Sequence, residues 1–244
     1  MLKEDLYREL KNNEGETISG QVLADKYHVS RAAVWKALKN LIEEGYPIET
    51  VGRKGYRLAP GTDLLTADGI RAYLKEPDEP DIRIFRTIDS TNGEAERMLS
   101  TGTRRPTLIA AEKQTAGRGH NQSFFDSPAV TGIYMSLLLP LKIPFDHVSE
   151  ISRAAGNAAL RAIGTQPGRE IHIEKINDIY DGKTKIGGIL CEVISSDLES
   201  GCTDSAIIGI GIRMQTFTRH VTRDEMVATA TDDLLSSLRP YLTE

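Results

Sequence analysis

Ser19-Gly20-Gln21-Val22-Leu23-Ala24-Asp25-Lys26-Tyr27-His28-Val29-Ser30-Arg31-Ala32-Ala33-Val34-Trp35-Lys36-Ala37-Leu38-Lys39 reads as two helices joined by a turn too short to hold any other element. Ser19 and Ser30 each stand where a hydroxyl can accept from an orphan backbone N–H of a first helical turn. Val22, Leu23 and Tyr27 supply the apolar positions of the earlier helix. In the later one Ala33, Val34, Ala37, Leu38 and Leu41 recur at helical spacing and leave Arg31, Ala32, Trp35, Lys36 and Lys39 outward. Upstream, Leu2, Leu6 and Leu10 stripe a further helix. Downstream, Gly45 stops the third, and Tyr46–Thr50 and Tyr56–Leu58 read as two short strands around Val51-Gly52-Arg53-Lys54-Gly55.

Taken singly, such residues usually make a capped helix start and a solvated basic face. Together, the short turn, the cationic second helix and the basic-tipped hairpin have the form of a winged helix-turn-helix, with a recognition helix for the major groove and a wing for the phosphates. The DNA-binding candidates are Ser30, Arg31, Ala32, Trp35, Lys36 and Lys39 on the helix and Arg53 and Lys54 on the wing. Arg31 and Lys36 are expected at the groove, Arg53 and Lys54 at the backbone. Met1 to Thr62 hold ten Lys or Arg and nine Asp or Glu, with the acids early (Glu4, Asp5, Glu9, Glu14, Glu16) and the bases late (Arg31, Lys36, Lys39, Arg53, Lys54, Arg57). The basic face is therefore directional, although the whole chain's formal charge of −5 argues against diffuse coating of nucleic acid.

A length of 244 residues fits one small and one larger domain, expected at 1–60 and 63–244 with Ala59-Pro60-Gly61-Thr62 between them. No apolar run approaches ~18 residues and Met1–Asp5 lacks the apolar core of a signal peptide, so the expectation is a cytoplasmic protein with no membrane partner. Cys191 and Cys202 form no CxxC and sit near no histidine cluster; both are read as reduced and structural, with no metal site.

Past the linker, Ile82–Ile88, Thr107–Lys113, Gly132–Leu139, Ile171–Ile176, Ile186–Ile194 and Ala206–Ile212 read as strands, and Ala67–Leu74, Gly93–Leu99, Val148–Ile163 and Arg223–Leu242 as helices. Strands in adjacent groups with few helices between them predict an α+β domain with a mixed, largely antiparallel sheet. Three segments carry chemistry. Asp89-Ser90-Thr91-Asn92 leaves a strand and enters a helix, where its hydroxyls and amide can cap or meet a ligand. In Gln114-Thr115-Ala116-Gly117-Arg118-Gly119-His120 the glycines let backbone N–H groups approach an anion. Asn177-Asp178-Ile179-Tyr180-Asp181-Gly182-Lys183 reads as a turn feeding the strand that carries Gly187-Gly188.

Each segment alone is weak, but in this order the chain, from about residue 2 to Arg213, resembles the biotin protein ligases of the regulatory class, the biotin operon repressors. The clearest stretches are Ser30–Lys36, Gly52–Leu58, Ser90–Asn92, Ala116–Gly119, Gly132–Leu137, Asn177–Tyr180 and Gly187–Leu190. The resemblance implies a winged helix-turn-helix before a biotin/lipoate-ligase-like domain that binds biotin and ATP and makes biotinyl-5'-AMP. Such a protein then biotinylates a carrier lysine or dimerises on operator DNA. By position, Ser90, Thr91 and Gln114 would contact the biotin ring system and Arg118 the adenylate, with Asn92, Gly117, Gly119, Gly188 and Arg213 completing the effector site.

The chain departs from the family's pattern in several places. The glycine loop continues in the family as Gly-Arg-Gly-Arg and then a further Gly-Arg; here His120 replaces one arginine, Gln122 the later glycine and Ser123 the later arginine, while the following aromatic survives as Phe125. The loop loses about two positive charges, since a histidine near its reference pKa of ~6.5 is mostly neutral at pH 7. The family's Lys-Trp before Asn-Asp is Glu174-Lys175. On a continuous strand neighbouring side chains alternate, so Glu174 is expected to face the pocket and repel a triphosphate while Lys175 points away. Arg213 stands where the family has asparagine, and the family's C-terminal β-barrel is expected to be missing beyond Glu244.

These changes predict a homodimeric DNA-binding regulator whose ligase-like domain senses biotin, biotinyl-5'-AMP or another vitamin-like effector, binds ATP poorly and has lost most ligase chemistry. The alternative is an active bifunctional ligase and repressor, and only then is a biotin carrier protein a partner. A pure dimerisation module is a third reading.

Overall fold

The computed structural model describes residues 2–43, 46–60, 63–75, 80–195, 197–214 and 221–243. Gly45, the expected helix stop, and Gly61-Thr62 of the linker lie outside them. The chain divides into two compact units, Met1–Asp63 and Leu64–Glu244.

In the first unit, helices α1 (Leu2–Asn12), α2 (Gly20–Lys26) and α3 (Arg31–Glu43) precede a hairpin of β1 (Ile48–Val51) and β2 (Gly55–Leu58). Ser19 Oγ accepts from Val22 N at 3.1 Å and Ser30 Oγ from Ala33 N at 3.1 Å, which satisfies one orphan donor at the start of each of α2 and α3. The turn between them passes through His28 in the left-handed region (φ 53°). Leu6, Leu10, Leu23, Val34, Leu38 and Leu58, all fully buried, form the core. Gly55 takes φ +142° and a Cβ there would lie 2.1 Å from the Ile18 carbonyl oxygen, so only glycine lets the wing pair with the segment before α2.

The second unit is a seven-stranded sheet in the order β3-β4-β5-β9-β8-β7-β6, with β3 and β4 parallel and every other pair antiparallel. Its strands are β3 (Asp81–Phe85), β4 (Thr107–Ala111), β5 (Gly132–Pro140), β6 (Ile171–Glu174), β7 (Asp178–Asp181), β8 (Thr184–Ile194) and β9 (Ser205–Arg213), and its helices α4 (Ala67–Tyr73), α5 (Thr91–Ser100), α6 (Ser149–Ile163) and α7 (Arg223–Leu238). This is the α+β class with a mixed, largely antiparallel sheet. Ile208, Ile210 and Ile212 of β9 face the main core with α4, α6 and α7. Ile207, on the other face, packs with Leu138 against Ala95 and Met98 of α5. The period of two along β9 thus carries Gly209, Gly211 and Arg213 onto the α5 face.

Four expectations shift. β6 ends at Glu174 instead of Ile176, because Lys175 and Ile176 take positive φ (51° and 71°) in a turn. The stretch read as a turn after Asn177 contains strand β7. The strands read as Ile82–Ile88 and Thr107–Lys113 end at Phe85 and Ala111, beyond which Ile88 and Gln114 make an isolated parallel bridge. The last helix ends at Leu238, followed by a 3₁₀ turn over Arg239–Tyr241 that begins with Arg239-Pro240. Both cysteines are free, and burial pushes the Cys191 thiol up to about 11. No helix of the described residues is long and apolar enough to cross a membrane.

Candidate functional site

In the first unit, Val34, Ala37, Leu38 and Leu41 turn α3 onto the core, and this orientation exposes Arg31, Ala32, Trp35, Lys36 and Lys39, with Ser30 at the cap also exposed. Trp35 is 55% exposed, which is unusual for so large an apolar side chain, and Lys39 Nζ stands 5.3 Å from its ring centroid while also reaching Glu43 at 3.5 Å. Arg53 and Lys54 are exposed in the turn between β1 and β2, where Gly52 takes φ +51°. Arg31, Lys36, Arg53 and Lys54 have no ion-pair partner among the described residues. Arg57 is different: it donates to Glu49 at 2.6 Å across the hairpin, so its charge is neutralised within the wing.

In the second unit a cleft of about 440 Å³ opens on the α5 face of the sheet. One end is neutral, polar and buried. Ser90 caps α5 by accepting from Gly93 N at 3.3 Å, which sets Thr91 and Asn92 in the buried first turn. Gln114 Oε1 accepts from Thr91 N (2.8 Å) and Thr91 Oγ1 (3.2 Å), and Gln114 Nε2 donates to Ser127 Oγ (2.9 Å). Ser136 Oγ donates to Asn92 Oδ1 (2.5 Å) and lies 2.7 Å from Thr91 Oγ1; Asn92 Nδ2 donates to Glu192 Oε2 (2.6 Å). These groups interlock as donors and acceptors, so a ligand edge placed against them meets a fixed pattern. Below this turn the Arg97 guanidinium holds the Asp89 carboxyl at about 2.

The glycine loop folds over the cleft as a narrow hairpin. Phe125 N donates to Gly117 O (2.8 Å), Gly119 N donates to Ser123 O (2.7 Å), and the Phe125 ring lies flat enough on β9 that a Cβ at Gly211 would meet it at 2.6 Å. Gly117 does not line the cleft; a Cβ there would strike Phe125 O at 2.3 Å, so this glycine serves the loop's own closure. Gly119, His120 and Ser123 do line it. Arg118 also lines it, but its guanidinium donates to both Glu96 oxygens (2.8 and 2.7 Å), with Glu192 4.0 Å away. That pairing holds Glu96 below the usual carboxylate range and raises Arg118 further. Much of the charge expected of Arg118 is thereby compensated.

The other end of the cleft is cationic, and here the sequence reading of Glu174 and Lys175 is reversed. Glu174 lies outside the cleft, exposed, facing His172 Nε2 at 3.3 Å, whereas Lys175 lines it. The alternation argument required an extended strand through residue 175, and the chain turns there instead. Arg213 lines the cleft with its guanidinium carbon 5.6 Å from the Phe125 centroid, and Gly188 forms part of the floor. Asn177, from the third chemical segment of the sequence, also lines the cleft, as do Lys185, Asn121 and Tyr134, which were not named as site candidates. Lys185 pairs with Asp178 at 2.6 Å across the β7–β8 hairpin, a juxtaposition that becomes visible only once β7 is recognised as a strand.

Comparison with known proteins fits both units. A family model described as an HTH domain matches residues 3–57, and one described as the biotin/lipoate A/B protein ligase family matches residues 84–212. The chain is 36% identical over 214 residues to the bifunctional ligase/repressor BirA of Bacillus spizizenii, covering 87% of this chain and 65% of that protein. It is 30% identical over 207 residues to the Escherichia coli protein of the same name, covering 82% and 60%. It thus spans under two thirds of the length of these relatives. The solved biotin protein ligase of Aquifex aeolicus in complex with biotin and ATP has the same fold (TM-score 0.52, 22% identity, 65% of this chain and 70% of that one). So does a Helicobacter pylori synthetase (TM-score 0.51, 21% identity, 66% and 76%). With the ligase-family match extending over more than half its residues, the chain belongs to the biotin/lipoate A/B protein ligase family, and it carries a helix-turn-helix ahead of that domain.

Proposed function

We propose that this protein is a DNA-binding transcription regulator of the biotin-repressor type whose ligase-related domain acts as a sensor for biotin or biotinyl-5'-AMP, with adenylation chemistry reduced. The observation that carries this reading is the contrast within one cleft. The neutral hydrogen-bonding end built by Thr91, Asn92, Gln114 and Ser136 is complete and buried. The cover loop offers His120 and Ser123 instead of cations and ties Arg118 to Glu96. A buried donor or acceptor left unmatched by its ligand costs ~1–3 kcal/mol, so the intact end favours a ureido-like head group. A cover poor in free cations gives little stabilisation to charge developing on phosphates, commonly the largest catalytic contribution.

A second reading, an active bifunctional ligase and repressor that also modifies a biotin carrier protein, is favoured by Lys175 and Lys185 at the cleft and Glu174 outside it. Calorimetry with biotin and biotinyl-5'-AMP, paired with biotin-dependent pyrophosphate exchange, separates the two. The sensor reading expects tight binding with exchange at least ~100-fold below that of a competent ligase. Exchange at a comparable rate establishes the second reading, and failure to bind either ligand removes both.

Operator DNA is the proposed partner of the first unit, bound by a homodimer whose two recognition helices read two half-sites. Lys36→Ala is expected to weaken operator binding by roughly 10-fold, from loss of about 1–3 kcal/mol at the groove. Arg53→Ala is expected to lower the magnitude of the log K against log salt slope by about 1. Titrations at several salt concentrations in which Arg53→Ala keeps the original slope would take the wing out of the interface.

A further inference from the structure

Along β9 the residues on the α5 face are Ile207, Gly209, Gly211 and Arg213, and they divide the cleft into stations. At Gly209 the strand passes beneath Asn92, whose Oδ1 a Cβ would meet at 2.3 Å, so this station belongs to the neutral end. At Gly211 the Phe125 ring rests on the strand. The next position, Arg213, is cationic, exposed, and has no ion-pair partner among the described residues; its guanidinium is presented against the Phe125 ring. An aromatic face orients a guanidinium without neutralising it, which leaves the N–H fork available to an anion. Lys175, which also lines the cleft and is likewise without an ion-pair partner among the described residues, is a further cation there. Arg118 and Lys185, by contrast, are already matched by Glu96 and Asp178.

We propose that Arg213 is the specificity-determining residue for the effector's anionic group, read from the sheet instead of from the glycine loop. The four steps from Gly209 to Arg213 span roughly 13 Å at the strand rise of ~3.3 Å per residue. The ligand class is therefore a neutral, amide-like head joined by an extended apolar or flexible arm to a carboxylate or phosphate, with the anion reached by a side chain pointing back toward the head. Between the two stations the floor at Gly188 is open: a Cβ there would have only Asn177 O at 3.7 Å and the Phe125 ring at 3.8 Å as neighbours. This inference rests on the proposal that the cleft takes an effector of the biotin type.

The test is calorimetry on the full chain with biotin and with its neutral methyl ester, for the wild type, Arg213→Gln and Arg213→Lys. The wild type is expected to prefer the acid by roughly 10-fold or more. Arg213→Gln is expected to bind acid and ester equally while keeping ester affinity within about twofold, which also shows that the head site and fold are intact. Arg213→Lys is expected to restore part of the preference, because the charge returns without the planar fork. An acid-to-ester ratio unchanged in Arg213→Gln overturns the role of Arg213 and leaves the sensor reading standing. A wild type that binds neither compound overturns both.

Discussion

Arg223→Met is expected to lower the unfolding free energy of the second unit by about 3–5 kcal/mol. Arg223 and Glu112 are both fully buried, and Nη1 donates to Glu112 Oε2 at 2.6 Å. The other carboxylate oxygen accepts from Leu65 N at 2.7 Å, and the next residue of α7, Asp224, accepts from Thr66 N at 2.8 Å. One cluster of charge thus fastens the first residues of the unit to the end of β4 and to the start of α7. Removing the guanidinium strands a carboxylate in a dry environment with Arg86, 4.0 Å away, as the remaining cation the structure places near it. For a unit of this size the loss corresponds to a fall in melting temperature of roughly 6–20 °C. The double variant Glu112→Gln, Arg223→Met should recover much of it, because the Gln oxygen still accepts from Leu65 and neither position of the pair carries a charge. A single variant that melts within 2 °C of the wild type, an error margin of about 0.5–1 kcal/mol, would show that the pair contributes nothing.

That pair illustrates what the sequence could not reveal, since its members lie 111 positions apart in the chain. Local signals were legible. The two serine caps of the first unit and the buried stripe of α3 were read from residue type and period, and the structure places them as expected. Ser90 as a cap followed from its place between a strand and a helix. The sheet class was legible because β5, β8 and β9 are long and apolar, whereas β7, four residues with an acid at each end, carries no such signal.

The error at Glu174 and Lys175 has the same origin. Both lie in a β-branched run that looks extended, and nothing in Lys175-Ile176 announces a positive φ, which is uncommon for a side chain branched at Cβ. A shift of one or two residues in where β6 ends exchanged which side chain faces the cleft, and with it the sign of the charge there. The pairing of Arg118 with Glu96 was equally hidden. It depends on the pitch of α5 bringing Glu96 beside a loop 22 residues away.

Gly209→Ala and Gly188→Ala should part company, although each adds one methyl to a glycine of the same cleft. At Gly209 the new Cβ would sit 2.3 Å from Asn92 Oδ1 and 3.1 Å from its Cγ, so Asn92 must leave its place. Its bonds to Ser136 (2.5 Å) and Glu192 (2.6 Å) leave with it, and buried polar groups lose partners at ~1–3 kcal/mol each. The neutral end then no longer holds its pattern. Biotin affinity is expected to fall by about 100-fold and the melting temperature by roughly 4–12 °C. At Gly188 the neighbours stand at ordinary contact distance, 3.7 and 3.8 Å, so the fold accepts the methyl and melting shifts by no more than about 2 °C. The methyl nevertheless occupies the floor over which the ligand arm would pass, and biotin affinity should drop by roughly 10-fold. Thermal melts and calorimetry on the two variants check both halves. Equal biotin affinity in Gly188→Ala and wild type would mean the ligand does not run over β8, because in that variant nothing but the corridor has changed.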